Sequence, residues 1–407
     1  MDFTFTEEQQ AAVEAAKAVF APVAPDGVPS PALTPGAVAE DFDRALWGRL
    51  AEADLLSLLL APEYDGAGLD AVALSLVLRE SARVLARVPL LESSAAAYAV
   101  QTFGSEELKR RVLPGAARGE LVLTVAANGR TGHDAAERAV TARQDTTAAA
   151  ASAASPDGAT GADSPDGSDG SDGSDGTSWV LDGVQTGVPW AQNADLVVVP
   201  AHTPDGRTVL ALVPRGQDGL RIAEQVSTSG ERLGELHLDA VRIPSSELID
   251  TDGAWERLHQ LLTTGTCALA LGLGEAVLAM TSEYTGKREQ FGFPIATFQA
   301  VAVQAADRYI DLRAMEVTLW QAAWRISTGA SGALPATGDI AVAKIWASEG
   351  VRRVVQTAQH LHGGFGSDVD YPLHRYHAWA KQLELSLGPA PAHEEALGDL
   401  LAAHSLS

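Results

Sequence analysis

The distribution of apolar residues divides the chain into three parts. In residues 1–120 apolar positions recur every three or four residues, which is typical of helices with one buried face. Thr6 followed by Gln9 predicts a helix N-cap with its capping-box partner, and a helix that runs to about Val19. Further helices are predicted over 42–60, 71–85, 92–103 and 106–118. We therefore expect residues 1–120 to form an N-terminal helical domain.

From Leu121 the apolar period changes to two, which is the spacing of a strand with one buried face. Runs rich in β-branched residues, separated by Gly, Pro, Asp and Asn, predict strands at 121–126, 179–181, 196–201, 209–213 and 235–238. We expect residues 121–245 to form a middle β-domain, folded as a barrel or sandwich.

Helical spacing returns in residues 246–407. It predicts helices over 252–283, 294–327, 337–362 and 391–403, with one more over 376–387. Gly292 and Pro294 break the pattern between the first two helices, which predicts a turn joining antiparallel neighbours. The third part is therefore expected to be a four-helix bundle, and the fold class is predicted to be α+β.

Residues 144–177 differ in composition from their surroundings. They hold an Ala/Thr tract and repeated Ser-Asp-Gly, with seven aspartates and no lysine or arginine. Such a segment cannot bury enough apolar surface to offset the entropy of ordering, so we predict a disordered surface excursion between two strands. The aspartate spacing is not that of a calcium-binding loop, and no metal site is predicted.

Composition limits the classes of partner. The net charge of −24 argues against binding to nucleic acid or to an anionic membrane through broad electrostatics. No run approaches 18 uninterrupted apolar residues, so no membrane-spanning helix is predicted. The N-terminal residues lack the pattern of a secretory signal. Cys267 is the one cysteine, predicted to be a small core residue. We therefore expect a cytoplasmic protein.

The predicted turn of the helical bundle reads Arg288-Glu289-Gln290-Phe291-Gly292-Phe293-Pro294-Ile295 and continues to Phe298-Gln299. A guanidinium at a helix end complements the helix dipole or grips a phosphate or carboxylate in a fork. The run resembles the R-x-Q-F-G-x-P-I-x-x-F-Q signature of the acyl-CoA dehydrogenase family at every specified position. The resemblance implies FAD as cofactor and implies that Arg288 and Gln299 reach the FAD of a neighbouring subunit. It also assigns Gln290 and Phe291 to the cofactor site.

A second stretch, Gln359 to Gly366, contains Gly363-Gly364 and is followed by Tyr371-Pro372 and Ala380-Lys381. It resembles the family pattern Q-x-x-G-G-x-G, then E-Y-P, then A-K. The resemblance implies that Gly363 and Gly364 contact the adenine half of FAD across a subunit interface. His360 stands at the family's glutamine position, and since it can still donate one hydrogen bond we predict a weaker contact there.

The family desaturates acyl-CoA thioesters, and its reaction needs a carboxylate that removes the α-proton. The usual position of this base, six residues after Lys381, is Leu387. The family's second position for the base, on the helix before the turn, is Leu262. The sequence therefore predicts no catalytic base in this chain. Glu384 is the remaining candidate, about 4.5 Å from Leu387 along a helix axis.

Two loops depart from the family as well. The family's T-E-P-x-A-G-S-D is replaced by residues 126–134, and its aromatic-Ile-Thr/Ser is replaced by Gly187-Val188-Pro189-Trp190. These segments normally hold the isoalloxazine and the thioester. Trp190 is interpreted either as a flavin-edge residue or, preferably, as a core residue.

The pattern is similar to the base-lacking subunit of actinobacterial heteromeric acyl-CoA dehydrogenases. It implies an acyl-CoA substrate, an electron acceptor like electron-transfer flavoprotein, and an α2β2 complex with a homologous subunit that supplies the base. A homotetramer is the other assembly that the family implies. Two alternatives remain: a non-catalytic structural or CoA-binding subunit, and a flavin monooxygenase with the same fold.

Overall fold

The computed structural model describes residues 4–131, 135–145 and 178–404. Its first part is helical, as predicted. Thr6 caps the first helix, and the reciprocal hydrogen bonds between Thr6 and Gln9 complete the predicted capping box. The helices of this part are α1 (Glu7–Phe20), α2 (Arg44–Glu52), α3 (Ala71–Arg83), α4 (Leu90–Phe103) and α5 (Glu106–Ala117).

The predicted helix over 42–60 is too long. Helix α2 ends at Glu52, and Asp54 takes a positive φ of 56° just beyond it. The amide of Leu55 donates to the carbonyl of Leu50, which turns the chain away from the helix axis. Residues 55–60 are buried without helical geometry. An apolar run of this length has the same pattern in a helix and in a buried irregular segment.

The middle part is one continuous sheet of mixed direction, with strand order β6-β7-β3-β2-β4-β5-β8 and β1 parallel to β4. The long pair β3 and β7 changes register between Leu181 and Gly183 and again between Gln185 and Val188, which bends the sheet. The strands are β1 (Leu123–Val125), β2 (Val140–Gln144), β3 (Ser178–Pro189), β4 (Leu196–His202), β5 (Thr208–Pro214), β6 (Leu220–Val226), β7 (Arg232–Pro244) and β8 (Leu248–Ile249).

Most of the predicted excursion at 144–177 lies outside the described residues. Its flanks agree with a position between two strands, because Gln144 ends β2 and pairs with Trp179 of β3. The amide of Asp145 donates to the carbonyl of Ser178 at 2.8 Å. The chain therefore leaves and re-enters the sheet at neighbouring positions.

The third part is helical, as predicted. Its elements are α6 (Ala254–Lys287), the hairpin of β9 (Glu289–Gln290) and β10 (Phe293–Pro294), α7 (Gln299–Thr328), α8 (Ala336–His362), α9 (Leu373–Leu385) and α10 (Ala390–Ala403). Helix α6 is long and apolar enough to cross a membrane, with a mean hydropathy of 1.6 over 18 residues, but 78% of that window is buried in the protein. Its apolar surface is thus covered by neighbouring elements.

Two apolar cores hold these parts together. The larger core joins the N-terminal helices to the C-terminal bundle and includes one face of the sheet. The smaller core lies within the β-part, around Leu181, Val199 and Leu236. Cys267 is buried in the larger core, where burial raises the pKa of its thiol to about 12, so its predicted structural role is confirmed.

Candidate functional site

A cavity of about 490 Å³ lies where the N-terminal helices, the sheet and the bundle meet. Its volume falls within the range of small-molecule sites, and its walls are mainly apolar. Residues from α3, α4, α6, α9 and the ends of β1, β3 and β6 line it. We call this space the cavity.

Leu262 of α6 and Leu387 after α9 both line the cavity. These are the two positions where the resemblance places a catalytic carboxylate, so the fold brings both to one space. Leu387 has a positive φ of 56°, and His393 donates from Nε2 to its carbonyl at 2.8 Å. The segment is held in a fixed, strained conformation, but an apolar side chain faces the cavity.

Lys344 holds the end of α9 beside this segment. Its buried ammonium donates to the carbonyls of Leu383 and Glu384, at 3.1 Å each, and to the hydroxyl of Ser348 at 2.8 Å. The carbonyls at a helix C-terminus lack intrahelical partners, so a cation there satisfies them and complements the dipole. Burial lowers the pKa of Lys344 to about 8.

The carboxylate of Glu384 is engaged with Lys381, whose Nζ lies 2.6 Å away. Glu384 is not among the residues that line the cavity, although its neighbours Leu383 and Leu385 are. Glu384 precedes Leu387 by three residues, which is nearly one helical turn. Its side chain therefore points in a different direction from that of Leu387, as helix geometry predicts.

Glu92, in the first turn of α4, is a cavity residue that the sequence analysis did not single out. Its carboxyl lines the cavity. Burial raises the pKa of Glu92 to about 7, while hydrogen bonds from its own backbone and from the Trp190 indole lower it in part. An acid at the start of a helix is ordinarily explained by the helix dipole, so nothing in the sequence distinguishes Glu92 from such an acid.

The polar groups of the cavity loops around Asn128 and Gly187 form hydrogen bonds with other groups of the protein. Asn128 Nδ2 donates to the carbonyl of Gly187 at 2.8 Å, and the amide of Gly187 donates to Gln225 Oε1 at 2.9 Å. Pro189 has no amide hydrogen to offer, and its carbonyl accepts from Thr124 Oγ1 at 2.6 Å. These segments offer few free hydrogen-bonding groups to a flavin ring.

Trp190 has a positive φ of 58° and lines the cavity. Its ring meets Phe42 edge to face at 6.2 Å between centroids, and it packs against the larger core. Trp190 is thus a partly buried packing residue that also forms part of the cavity wall, and a flavin-edge role stays a prediction.

The residues assigned to the cofactor by the bundle motifs lie elsewhere, at one end of the bundle. Phe291 and Gly292 have positive φ values of 56° and 82° and form the two-residue loop of the β9–β10 hairpin. Phe291 is 89% exposed. Arg288, at the C-cap of α6, is exposed, and no hydrogen bond or ion pair joins its side chain to the described residues.

The Gly363-Gly364 segment is at the same end. Tyr284, one turn before Arg288, stacks on His362 at 4.3 Å and on Phe365 at 5.3 Å. Gly363 has φ 60° and ψ −141°, a conformation essentially restricted to glycine. A Cβ at Gly363 or Gly364 would meet nothing within 4 Å, so the backbone faces open space. We call Arg288, Gln299, His360, Gly363 and Gly364 the bundle-end group.

The bundle-end group does not meet the cavity of its own chain. The last α6 residue that lines the cavity is Leu269, and the helix runs from there to Arg288. At about 1.5 Å per residue this separation is roughly 28 Å. The side chains of Gln299 and His360 are exposed and have no hydrogen-bond partner among the described residues.

No group of three or more His, Cys, Asp or Glu side chains suited to a metal ion occurs in the part of the chain that the structure describes.

Two family models match the chain. The model described as acyl-CoA dehydrogenase, N-terminal domain, matches residues 6–120, and that described as acyl-CoA dehydrogenase, C-terminal domain, matches residues 255–399. The acyl-CoA dehydrogenase FadE27 of Mycobacterium tuberculosis is 34% identical over 366 residues, which cover 89% of each protein.

Solved structures give the same result. A chain of the ChsE4-ChsE5 complex from Mycobacterium tuberculosis has a TM-score of 0.82 and 33% identity, covering 99% of both chains. A chain of a variant of the Tcur3481-Tcur3483 steroid ACAD has a TM-score of 0.81 and 36% identity, covering 98% of both chains.

Proposed function

The chain belongs to the acyl-CoA dehydrogenase family, and from that premise we propose that it is one subunit of a heteromeric enzyme whose catalytic base is supplied by a homologous partner. The family consists of oxidoreductases, and FAD is its cofactor. The proposed reaction is the α,β-desaturation of an acyl-CoA thioester. The observation that carries the proposal is a solvent-facing bundle-end group whose side chains have no partner in the described part of the chain, together with leucines, Leu262 and Leu387, where the family resemblance places the base.

The geometry favours a cofactor shared between subunits. Exposed Arg288 and Gln299 and the open backbone at Gly363-Gly364 suit a negatively charged, extended cofactor, since a guanidinium binds phosphate in a fork and glycines allow close approach. These groups lie roughly 28 Å along α6 from their own cavity. They therefore fit FAD whose reactive ring is in the cavity of a neighbouring subunit.

The proposed division of labour follows from this placement. When bound, FAD supplies the acceptor for the β-hydrogen, which leaves as hydride. In this chain Arg288 and Gln299 bind and orient the cofactor, while the α-proton is taken by a carboxylate of the partner. Positioning of this kind lowers the barrier because the reacting groups are already aligned.

An exposed apolar face supports assembly with a homologous subunit. Val303, Ile310 and Val317 of α7 are 60%, 62% and 44% exposed, and their spacing of seven residues places them on one side of the helix. Phe291 and Phe293 of the hairpin that precedes α7 are also exposed, at 89% and 61%. We call these five residues the α7 face. Large apolar side chains exposed in this way are typical of protein interfaces.

The first experiment is a visible spectrum of the purified chain, alone and co-expressed with a family member encoded beside it. The proposal expects flavin absorbance in the mixed complex, and anaerobic bleaching when an acyl-CoA substrate is added. Because the chain is 36% identical to a chain of the steroid ACAD, acyl-CoA esters with a steroid ring system should be among the substrates tested. Bleaching at full extent in the lone chain would contradict a base supplied in trans.

A second candidate is a subunit that stabilises its partner or holds CoA esters without taking part in catalysis. It is favoured by the simultaneous change of the base position, Leu387, of Thr263, where the family has an arginine, and of the loop at 126–134. Under this candidate the complex would keep its flavin and its activity when Arg288 is replaced by alanine. A flavin monooxygenase would instead need oxygen consumption that depends on a reductant, in a complex given substrate and flavin.

A further inference from the structure

The cavity of this chain has no role in the proposed reaction, which takes place on the partner's base. Yet it is large, mainly apolar, and lined by one carboxyl that has no cationic partner among the described residues, that of Glu92. We propose that the cavity is a non-catalytic binding site for an uncharged, mainly hydrocarbon molecule that carries a hydroxyl group, and that Glu92 recognises this hydroxyl.

Glu92 differs from the other buried acid of the cavity wall. Glu231 forms an ion pair with Arg87, so its charge is compensated within the protein. The hydrogen-bonding partners of Glu92 are its own backbone and the indole of Trp190. A carboxyl accepts at about four lone-pair sites, so Glu92 retains acceptor capacity towards the cavity. A partly buried carboxyl with unused acceptor capacity in the wall of an apolar cavity suits an occupant that donates to it.

Trp379 also lines the cavity, but its indole Nε1 is buried away from the accessible surface and offers no donor to an occupant. The hydrogen bond to the occupant is therefore the one that its hydroxyl donates to Glu92. The two cationic side chains of the wall are already paired, Lys381 with Glu384 and Arg232 with Glu224. The wall therefore favours a neutral oxygen function over a free carboxylate.

The loops of the sheet exclude a ligand that needs many hydrogen bonds. Asn128, Gly187 and Gln225 bond to one another, and the carbonyl of Pro189 is taken by Thr124. Leu262, Leu269 and Leu387 supply an apolar wall on the opposite side. A hydrocarbon body gains from this surface in proportion to the area it buries.

The test compares two probes of nearly equal shape, cyclododecanol and cyclododecanone, by calorimetry and by tryptophan fluorescence of the full chain in its complex. The alcohol donates a hydrogen bond and the ketone does not. At pH 8, above the pKa of about 7 of Glu92, the carboxylate is ionised, and because a hydrogen bond to a charged group is strong we expect the alcohol to bind at least about tenfold more tightly. Trp190 and Trp379, which line the cavity, should report binding of both probes.

Substitutions then locate the site in this chain. Glu92→Leu is expected to remove the preference for the alcohol, whereas Glu92→Gln, which keeps an acceptor, should retain part of it. Glu107→Gln on the exposed side of α5 is the matched control and should change nothing. Trp379→Phe, which keeps an aromatic ring in the wall, should leave the preference for the alcohol unchanged.

Equal affinity for the two probes in the unmodified chain would overturn the proposal, as would absence of binding. A preference that survives Glu92→Leu would overturn it too. If Glu92→Leu does not fold, the partial loss in Glu92→Gln decides the matter. These measurements involve no turnover, so they stand or fall separately from the dehydrogenase assignment.

Discussion

At Leu387 the backbone is held firmly in place, but the side chain carries no group that could act in catalysis. Its backbone is held in a left-handed conformation by His393, and Lys344 fixes the helix end before it. Its side chain nevertheless carries no proton-accepting group. The segment is thus held in place although its side chain cannot act as a base, which is consistent with a requirement for this segment in folding or assembly.

At the same scale, Arg288→Ala is predicted to lower the affinity of the mixed complex for FAD at least about tenfold, because a charge-assisted hydrogen bond contributes roughly 1.5–3 kcal/mol. Stability should be unchanged, since Arg288 is exposed and unpaired in the described residues. Flavin absorbance after dilution and gel filtration measures the effect.

Lys287→Ala provides the control for that substitution. It removes an adjacent exposed cation, which pairs with Glu283, and should leave flavin content unaltered. Equal loss of flavin in both variants would show that the net charge of this end matters rather than the guanidinium of Arg288.

Glu92→Gln is predicted to stabilise the chain above neutral pH. The pKa of Glu92 is raised from 4.5 to about 7 in the folded state, so the folded state binds more protons between these values and stability falls as pH rises through them. The amide avoids this cost, which is at most about 3 kcal/mol. Thermal unfolding should show Glu92→Gln more stable than the unmodified chain at pH 8, and no gain near pH 4.5. A constant difference across pH would exclude ionisation as its cause.

Glu92 is also an example of a cavity residue that could not be predicted from the sequence. The motif residues Arg288, Gln299, Gly363 and Gly364 were recognisable because their spacing is local. Glu92, Trp190 and Trp379 come from α4, the end of β3 and α9, and only the folded chain places them around one cavity. Their assignment to FAD or to a ligand stays a prediction.

Among the packed elements, helices α6 and α3 approach each other closely at Gly272, and this contact is predicted to tolerate no added methyl group. A Cβ at Gly272 of α6 would lie 2.0 Å from the carbonyl oxygen of Arg79 in α3. Gly272→Ala should therefore cost about 1–3 kcal/mol or more in free energy of unfolding. Gly286 of the same helix has nothing within 4 Å, so Gly286→Ala should gain up to about 1 kcal/mol from helix propensity. Urea unfolding of both variants checks the contrast, and similar effects would refute it.

Helices and strands were predictable from the sequence where the apolar period continued over many residues. The capped helix α1 and the long helices α6, α7 and α8 were found close to their bounds. Three strands of the sheet were missed, β2, β6 and β8. Strand β2 alternates in burial but has only five residues beside the low-complexity segment, β6 is an edge strand with mixed exposure, and β8 has only two residues. The predicted helix over 42–60 is too long for a different reason, because a buried leucine run carries no period.

For the whole molecule, the α7 face is predicted to be the contact that holds the complex together. Ile310→Asp places a charge in this surface, and should weaken assembly at least about tenfold while the single chain stays folded, since Ile310 is 62% exposed. Analytical ultracentrifugation measures the association. Leu33→Asp, at a residue 37% exposed in the N-terminal part, is the control. Unchanged association in Ile310→Asp would place the interface elsewhere.

The adjacent ends of β2 and β3 have a practical consequence for protein engineering. Since Gln144 pairs directly with Trp179, a tight turn of a few residues can replace 146–177 without altering the ladder. Closing a shorter loop costs less entropy, so the shortened chain should gain roughly 1–2 kcal/mol in unfolding free energy. The same junction is a suitable insertion point for an affinity tag or a fluorescent reporter, which would leave both termini free and let assembly be followed in living cells.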